Sequence, residues 1–126
     1  MSTHTPQEIA EAAVRALDGK NAHDIRLLRT TDVTVLADYF VICTAASTTQ
    51  IKTLADAAEA ALEAMGEEKL HREGYRSGSW VLLDFGCVVI HLFMEEARQF
   101  YKLERLWADA QDVDITPLLT PKEAEA

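Results

Sequence analysis

A continuous apolar run in the first half of the chain limits the possible folds more than any other feature. Residues 37–44 read Ala-Asp-Tyr-Phe-Val-Ile-Cys-Thr, with β-branched and aromatic side chains at consecutive positions. A strand with one face in solvent alternates apolar and polar residues, whereas a strand covered on both faces shows an unbroken apolar run. We therefore predict that this segment is a central strand of the sheet, buried on both faces.

The second half of the chain contains two further apolar segments, at 80–83 and 88–93, separated by a short polar turn. Gly86 within that turn can adopt the positive φ that a tight connection needs. The sequence therefore predicts a β-hairpin. A helix is predicted after it, with Phe100, Leu103 and Trp107 on one broad face at about 100° per residue, while Tyr101 falls off that face.

Local start and stop signals predict two earlier helices. Thr5 and Glu8 form a capping box for a helix over about residues 6–18, which we expect to stop at Gly19 in a left-handed conformation. A second capping box begins at Ser47 and opens a helix that ends at Gly66. The polar side of this second helix, which carries Asp56, Glu59 and Glu63, is predicted to face solvent.

Two shorter strands complete the prediction. Residues 24–28 form a mixed apolar run, and the alternating charges of 68–73 are typical of an edge strand. The order of helices and strands predicts an α/β (α+β) fold in a single domain, with a mixed sheet of about five strands flanked by helices. The domain is predicted to span 6–110, followed by an acidic, frayed tail over 111–126.

Composition narrows the classes of function. The chain has 126 residues and a net charge of −9, and it contains no basic stripe. Such a charge opposes direct binding to nucleic acid and favours a basic protein partner, although acidity is also common for solubility alone. No run of about 18 apolar residues and no secretion signal occurs, so we expect a cytoplasmic protein without a membrane span.

Catalytic and metal-binding signals are weak. The glycines fit neither a P-loop nor a dinucleotide fingerprint, and the four histidines are scattered. His91 is predicted to be a hydrogen-bonded histidine of the core or sheet face, because no residue is singled out as a catalytic partner. Cys43 and Cys87 are predicted to be buried packing residues. We expect no enzymatic activity, no cofactor and no metal site.

One arrangement favours a different class of protein. Gly78 and Ser79, together with Asp112 and Asp114, are superficially similar to the glycine-serine and paired-aspartate elements of nucleotidyltransferases, in which carboxylates hold Mg²⁺. The aspartates lie too far along the chain, beyond the last predicted helix. This spacing does not fit the catalytic arrangement, so a divergent nucleotidyltransferase-fold protein that binds nucleotides is kept only as the alternative.

Large aromatic side chains outside the predicted core are candidates for partner contacts. Tyr101 lies off the apolar face of its helix, so it either rests on the domain's own loop or contacts a partner. Trp80 opens a strand after a loop rich in glycine and serine, on the same alternating face as Leu82 and Asp84. The sequence leaves both readings of Tyr101 open.

Five segments carry a specific resemblance to a known family. They are Asp-Tyr-Phe-Val-Ile at 38–42, Ser-Thr-Thr-Gln at 47–50, Trp-Val-Leu-Leu-Asp-Phe-Gly at 80–86, Val-Val-Ile-His at 88–91 and Phe-Tyr-Lys-Leu-Glu-Arg-Leu-Trp at 100–107. In this order they resemble the ribosomal silencing factor family, also called the Iojap family. The likeness covers about residues 6–110.

The resemblance implies a nucleotidyltransferase-like fold without catalytic carboxylates. It also implies binding to the large ribosomal subunit through ribosomal protein L-fourteen, which blocks joining of the small subunit and represses translation under nutrient limitation. Homodimers are common in the family. A blander alternative is an interaction module with another basic partner.

The resemblance also assigns contact residues. The family's partner contacts correspond to Trp80 and Tyr101, with Leu82 or Leu83 and Glu104 as secondary candidates. The family usually has an acidic residue after Gly86, where this chain has Cys87.

Overall fold

The computed structural model describes residues 4–31, 37–74, 79–95 and 110–119, and these form two α-helices and six strands. The helices are α1 (Pro6–Gly19) and α2 (Thr48–Ala64). The strands are β1 (His23–Arg29), β2 (Tyr39–Ala45), β3 (His71–Glu73), β4 (Trp80–Asp84), β5 (Val88–Met94) and β6 (Gln111–Val113), and a 3₁₀ turn follows at Thr116–Leu118. Within these residues no helix is long and apolar enough to cross a membrane.

The six strands form one mixed sheet in the order β3-β4-β5-β2-β1-β6. β2 pairs in parallel with β5, and every other neighbouring pair is antiparallel. All seven residues of β2 are buried, which confirms the prediction of a strand covered on both faces. The predicted hairpin is also confirmed, and β3 lies at the edge of the sheet as expected. The predicted single α/β domain with a mixed sheet is therefore confirmed.

The sixth strand corrects the prediction of about five strands and of a frayed segment from residue 111. Gln111–Val113 pairs with Leu27–Arg29, and the Asp112 carboxylate accepts a hydrogen bond from Arg26 at 2.7 Å. Leu118 and Leu119 then pack partly against the core. The sequence could not show this strand, because three residues with little apolar content carry no periodic signal.

The helix ends follow local signals, with two corrections. The capping box of Thr5 and Glu8 is present in α1. Gly19 does not take the predicted left-handed conformation, which falls instead on Asn21 at φ 64°. At α2, Ser47 caps the helix, but the Gln50 side chain accepts from Ala46 N at 2.6 Å, so the predicted box does not close.

The Gln50 side chain joins the two helices instead. Its amide nitrogen donates to the carbonyl oxygens of Lys20 and Asn21, at 3.2 and 3.0 Å. At the other end of α2, Gly66 has φ 88°, and Glu67 N donates to the Leu62 carbonyl oxygen at 3.0 Å, as in a Schellman motif. These bonds join the start of α2 to the segment after α1 and close the last turn of α2.

The two faces of the sheet carry different side chains. We call the side against α1 and α2 the helix face; its fully buried strand residues include Val41, Cys43, Val81, Leu83, Ile90 and Leu92. The opposite side is here called the aromatic face, and it carries Phe40, Trp80, His91 and Phe93. The strict alternation of side chains along a strand separates the two sets.

Glu59 of α2 corrects the prediction of a fully solvated helix side. Only 8% of this residue is exposed. Its carboxylate accepts from Lys69 Nζ at 2.8 Å and from Arg72 Nη1 at 2.9 Å. The residues around β3 therefore supply cations that cover one acidic side chain of the helix.

Candidate partner-binding site

Strand β4 places two of the predicted contact residues on the aromatic face. Trp80 and Leu82 are half-buried there, whereas Val81 and Leu83 are fully buried on the helix face. In the antiparallel pairing with β5, Trp80 lies opposite Phe93 and Leu82 lies opposite His91. The pleat of one strand thus decides which of its side chains reach the surface.

His91 and Phe93, both among the described residues, hold the Trp80 indole in place. Its Nε1 donates a hydrogen bond to His91 Nδ1 at 3.3 Å. Its ring stacks on that of Phe93, with centroids 5.1 Å apart and planes inclined by 27°. An indole held at both its nitrogen and its ring face has little rotamer freedom left to lose on binding.

His91 is the buried support of this arrangement. It is 4% exposed, and its ring centroid lies 5.0 Å from that of Phe40. Burial lowers the pKa of His91 to about 4, so the imidazole is neutral near pH 7. Because Nδ1 accepts from the indole, the proton of the neutral ring lies on Nε2. The prediction of a hydrogen-bonded histidine on the sheet face is confirmed.

The His91 Nε2 atom is buried and has no hydrogen-bond partner among the residues that the structure describes. An unpaired buried donor costs free energy, which most cores avoid. Beneath Trp80 the aromatic face therefore has a buried donor with no described partner. On the helix face, by contrast, the buried carboxylate of Glu59 has two ion pairs.

A groove of about 260 Å³ lies beside the indole and is lined by Glu73, Gly74, Trp80 and Leu82. Gly74 has φ 80°, and a Cβ at this position would overlap the Trp80 carbonyl oxygen. Glycine is therefore required for the backbone of residue 74 to approach β4 so closely. The groove is mostly apolar and open to a side chain from another molecule.

Glu73 gives this groove its charge. The register between β3 and β4 places Glu73 directly opposite Leu82, so the two side chains share one face. Glu73 is exposed. Neither the hydrogen bonds nor the ion pairs of the described residues include its carboxylate.

The structure brings together Trp80 and Leu82 from the predicted contact set. Leu83 has no exposed surface and packs in the core of the helix face, so it is not available as a surface contact. Tyr101, Glu104 and the predicted helix that carries them lie outside the described residues. Sequence reasoning missed Glu73 and Gly74; the pairing of 68–73 with the strand at Trp80 would have been the signal for them.

The paired aspartates of the alternative prediction serve structural roles. Asp112 forms an ion pair with Arg26. Asp114 accepts from Thr116 N at 3.0 Å, and this backbone hydrogen bond lowers the pKa of its carboxyl group. Gly78 lies outside the described residues. Among those described, no group of three or more acidic, histidine or cysteine side chains could hold a metal ion.

The turn between β4 and β5 is closed without an acid after Gly86. Gly86 has φ 86°, as predicted, and its N–H donates to Asp84 Oδ1 at 2.8 Å. Cys87 is half-buried, while Cys43 is fully buried as predicted. Burial, followed by the charges of Glu67 and Asp38, raises the pKa of the Cys87 thiol. An acid at 87 would meet the same burial and the same like charges.

Comparison with known proteins identifies relatives that span the chain. A family model described as ribosomal silencing factor during starvation matches residues 3–126. A ribosomal silencing factor of Halalkalibacterium halodurans is 35% identical over 114 residues, which cover 90% of this chain and 97% of the relative. One from Bacillus subtilis is 36% identical over 109 residues, covering 86% and 92%.

A plant relative and a solved structure extend these matches. The chloroplastic protein Iojap of Zea mays is 32% identical over 109 residues, covering 84% of this chain and 46% of the plant protein. The crystal structure of a protein from Chromobacterium violaceum superposes with a TM-score of 0.82 at 31% identity, covering 98% of this chain and all of the other. The resemblance in the five sequence segments is confirmed, and the chain belongs to the ribosomal silencing factor family.

Proposed function

We propose that this protein binds the large ribosomal subunit through ribosomal protein L-fourteen and blocks joining of the small subunit. Translation is thereby repressed under nutrient limitation. The observation that carries the proposal is the fixed, half-buried indole of Trp80 beside Leu82 on the aromatic face. Both residues occupy positions that the family resemblance assigns to the partner contact.

The geometry of Trp80 suits it to anchor an interface. Tryptophan is enriched among residues whose truncation weakens binding most, and such residues usually lie in well-packed surroundings. Contacts with His91 and Phe93 order the indole before binding, so association does not have to supply that ordering. Leu82 extends the apolar contact on the same strand.

The overall charge supports a basic protein as partner. With a net charge of −9, the molecule is attracted to a basic surface over several ångströms, which raises the association rate at low ionic strength. Direct reading of ribosomal RNA is disfavoured by the same charge. The contact is therefore proposed to be with ribosomal protein, and Tyr101 and Glu104 remain predicted members of it.

The proposed mechanism is steric exclusion and requires no chemical step. A protein of 14.0 kDa seated on the surface that meets the small subunit prevents the two subunits from closing. We accordingly propose a cytoplasmic, non-enzymatic factor that uses no cofactor. We also propose that it forms homodimers, as the family resemblance implies, which sedimentation equilibrium would measure.

Sucrose-gradient sedimentation with purified ribosomal subunits tests the proposal. The wild-type protein should migrate with free large subunits and reduce the formation of joined ribosomes when small subunits are added. Trp80→Ala should weaken the association by about 10- to 100-fold, the range expected for truncating an interface anchor. Leu82→Ala should weaken it less.

Met65→Ala provides a matched control, because Met65 is a half-buried apolar residue that packs against the core of the helix face. This variant should bind as wild type does. Circular dichroism of each variant verifies that the fold is retained. Wild-type protein that stays at the top of the gradient with large subunits in excess would refute the proposal.

A further inference from the structure

The groove beside Trp80 combines apolar walls with one carboxylate. Leu82 and the indole supply the apolar part, and Glu73 lies across from Leu82 in the register of β3 with β4. Its volume of about 260 Å³ is sufficient for one extended side chain. The groove is therefore large enough for a single side chain of a partner.

Among the residues that the structure describes, no cation forms an ion pair with Glu73. Lys69 and Arg72, the cations nearest to Glu73 in sequence among the described residues, both bind Glu59 on the helix face. On the groove's own face, the Asp84 carboxylate accepts from Gly86 N and adds a second negative charge. His71 lies opposite Asp84, at the far end of β3 from Gly74. Among the described residues, Glu73 and Asp84 therefore place two carboxylates on the face of the groove.

We infer that this groove receives a lysine or arginine side chain of the protein partner, with Glu73 as its counter-charge. The inference rests on the proposed function and names the chemistry of one contact within it. The aliphatic stem of such a side chain packs on Leu82, and its cation lies between the Glu73 carboxylate and the electron-rich indole of Trp80. Glu73 and Trp80 lie on adjacent strands, and the indole is already held in place by His91 and Phe93.

Other side chains fit this groove less well. A purely apolar residue would remove water from Glu73 without giving its carboxylate a partner, which is unfavourable. An acidic residue would be repelled by Glu73 and Asp84. A basic residue satisfies the carboxylate and covers the apolar wall together.

Binding of purified large subunits by charge variants at Glu73 tests the inference. Glu73→Gln keeps the size of the side chain and should raise Kd by about 5- to 10-fold at low salt, the effect of losing one partly exposed charge pair at an interface. Glu73→Lys should raise Kd further. Glu73→Asp retains the charge and should recover most of the affinity. The dependence of Kd on salt should become weaker in Glu73→Gln.

Glu63→Gln is the matched control, since it makes the same change in net charge at an exposed position of α2. It should change Kd by less than about 2-fold, because an exposed charge far from the contact acts only through screened long-range attraction. Equal effects of Glu73→Gln and Glu63→Gln on Kd would overturn the inference. The proposed function would still stand in that case if Trp80→Ala lost binding. Absence of binding by the wild-type protein would remove both.

Discussion

The helix face and the aromatic face of the sheet share their strands but differ in how their polar groups are satisfied. On the helix face, two helices cover an apolar layer, and the buried carboxylate of Glu59 has two cationic partners. On the aromatic face, counting only partners among the described residues, His91 has one nitrogen paired and one unpaired, and Glu73 has no ion pair. The buried acid Glu59 of the helix face is therefore paired within the chain.

This difference separates two tasks. Interactions that are satisfied within the fold contribute to stability, whereas groups that are ordered but unsatisfied can gain from a partner. Alternation along β4 makes the separation sharp, because Leu82 and Leu83 are neighbours in sequence and lie on opposite faces. Stability and binding should therefore respond to different substitutions in the same strand or layer.

The largest expected effect is on the helix face. Leu54 is fully buried between α2 and the sheet, so Leu54→Ala should lower the free energy of unfolding by about 2–5 kcal/mol. Leu82→Ala, on the aromatic face, should cost less than about 1 kcal/mol but weaken binding to the large subunit. Urea denaturation and gradient sedimentation measure the two quantities. A similar loss of stability in both variants would break the distinction between the faces.

The next prediction concerns the dependence of stability on pH, which His91 of the aromatic face should control. Burial holds the pKa of His91 at about 4 in the folded chain, below the ordinary value of 6.5. Between these values the unfolded chain binds a proton that the folded chain does not, so acidification favours unfolding. Stability should fall by up to about 3 kcal/mol as the pH is lowered from 7 to 4.

Urea denaturation at pH steps from 7 to 4 measures this effect, with His91→Asn as the control. Asparagine can still accept a hydrogen bond from Trp80 Nε1 but does not titrate, so its stability should change less with pH. Glu8 and Asp114 also have lowered carboxyl pKa values, and the stability lost when they are protonated at acid pH is common to both proteins. Identical pH profiles of stability for wild type and variant would show that His91 does not cause the loss of stability at acid pH.

Sequence reasoning succeeded where the signal is local. The capping box at Thr5, the turn glycine at Gly86 and the apolar run of β2 each depend on a few adjacent residues, and the structure has all three as expected. Chain reversal through Gly86 then brings β4 beside β5. The family resemblance came from the same local segments.

The features that were missed depend on contacts between distant segments. β6 is a strand only because β1 offers its edge, and Glu59 is buried only because Lys69 and Arg72 reach it from the other side of a turn. The groove beside Trp80 needs the register of β3 on β4, which a single polar edge strand does not fix in sequence. The candidate site was therefore predicted by its tryptophan and leucine but not by its charge.

The last prediction concerns the backbone that shapes the groove. Alanine at 74 would place a Cβ against the Trp80 carbonyl oxygen at a φ of 80°, so Gly74→Ala should cost about 1–3 kcal/mol and displace β4 at Trp80. Gly19→Ala is the matched control: its Cβ would meet no atom within 4 Å, and it should stabilise α1 by about 0.5–1 kcal/mol. Thermal unfolding and gradient sedimentation of both variants measure these changes. If Gly74→Ala weakens ribosome binding by more than its loss of folded protein explains, the close approach of residue 74 to β4 shapes the binding site on the aromatic face. Equal behaviour of the two variants would show that β4 does not need this close approach.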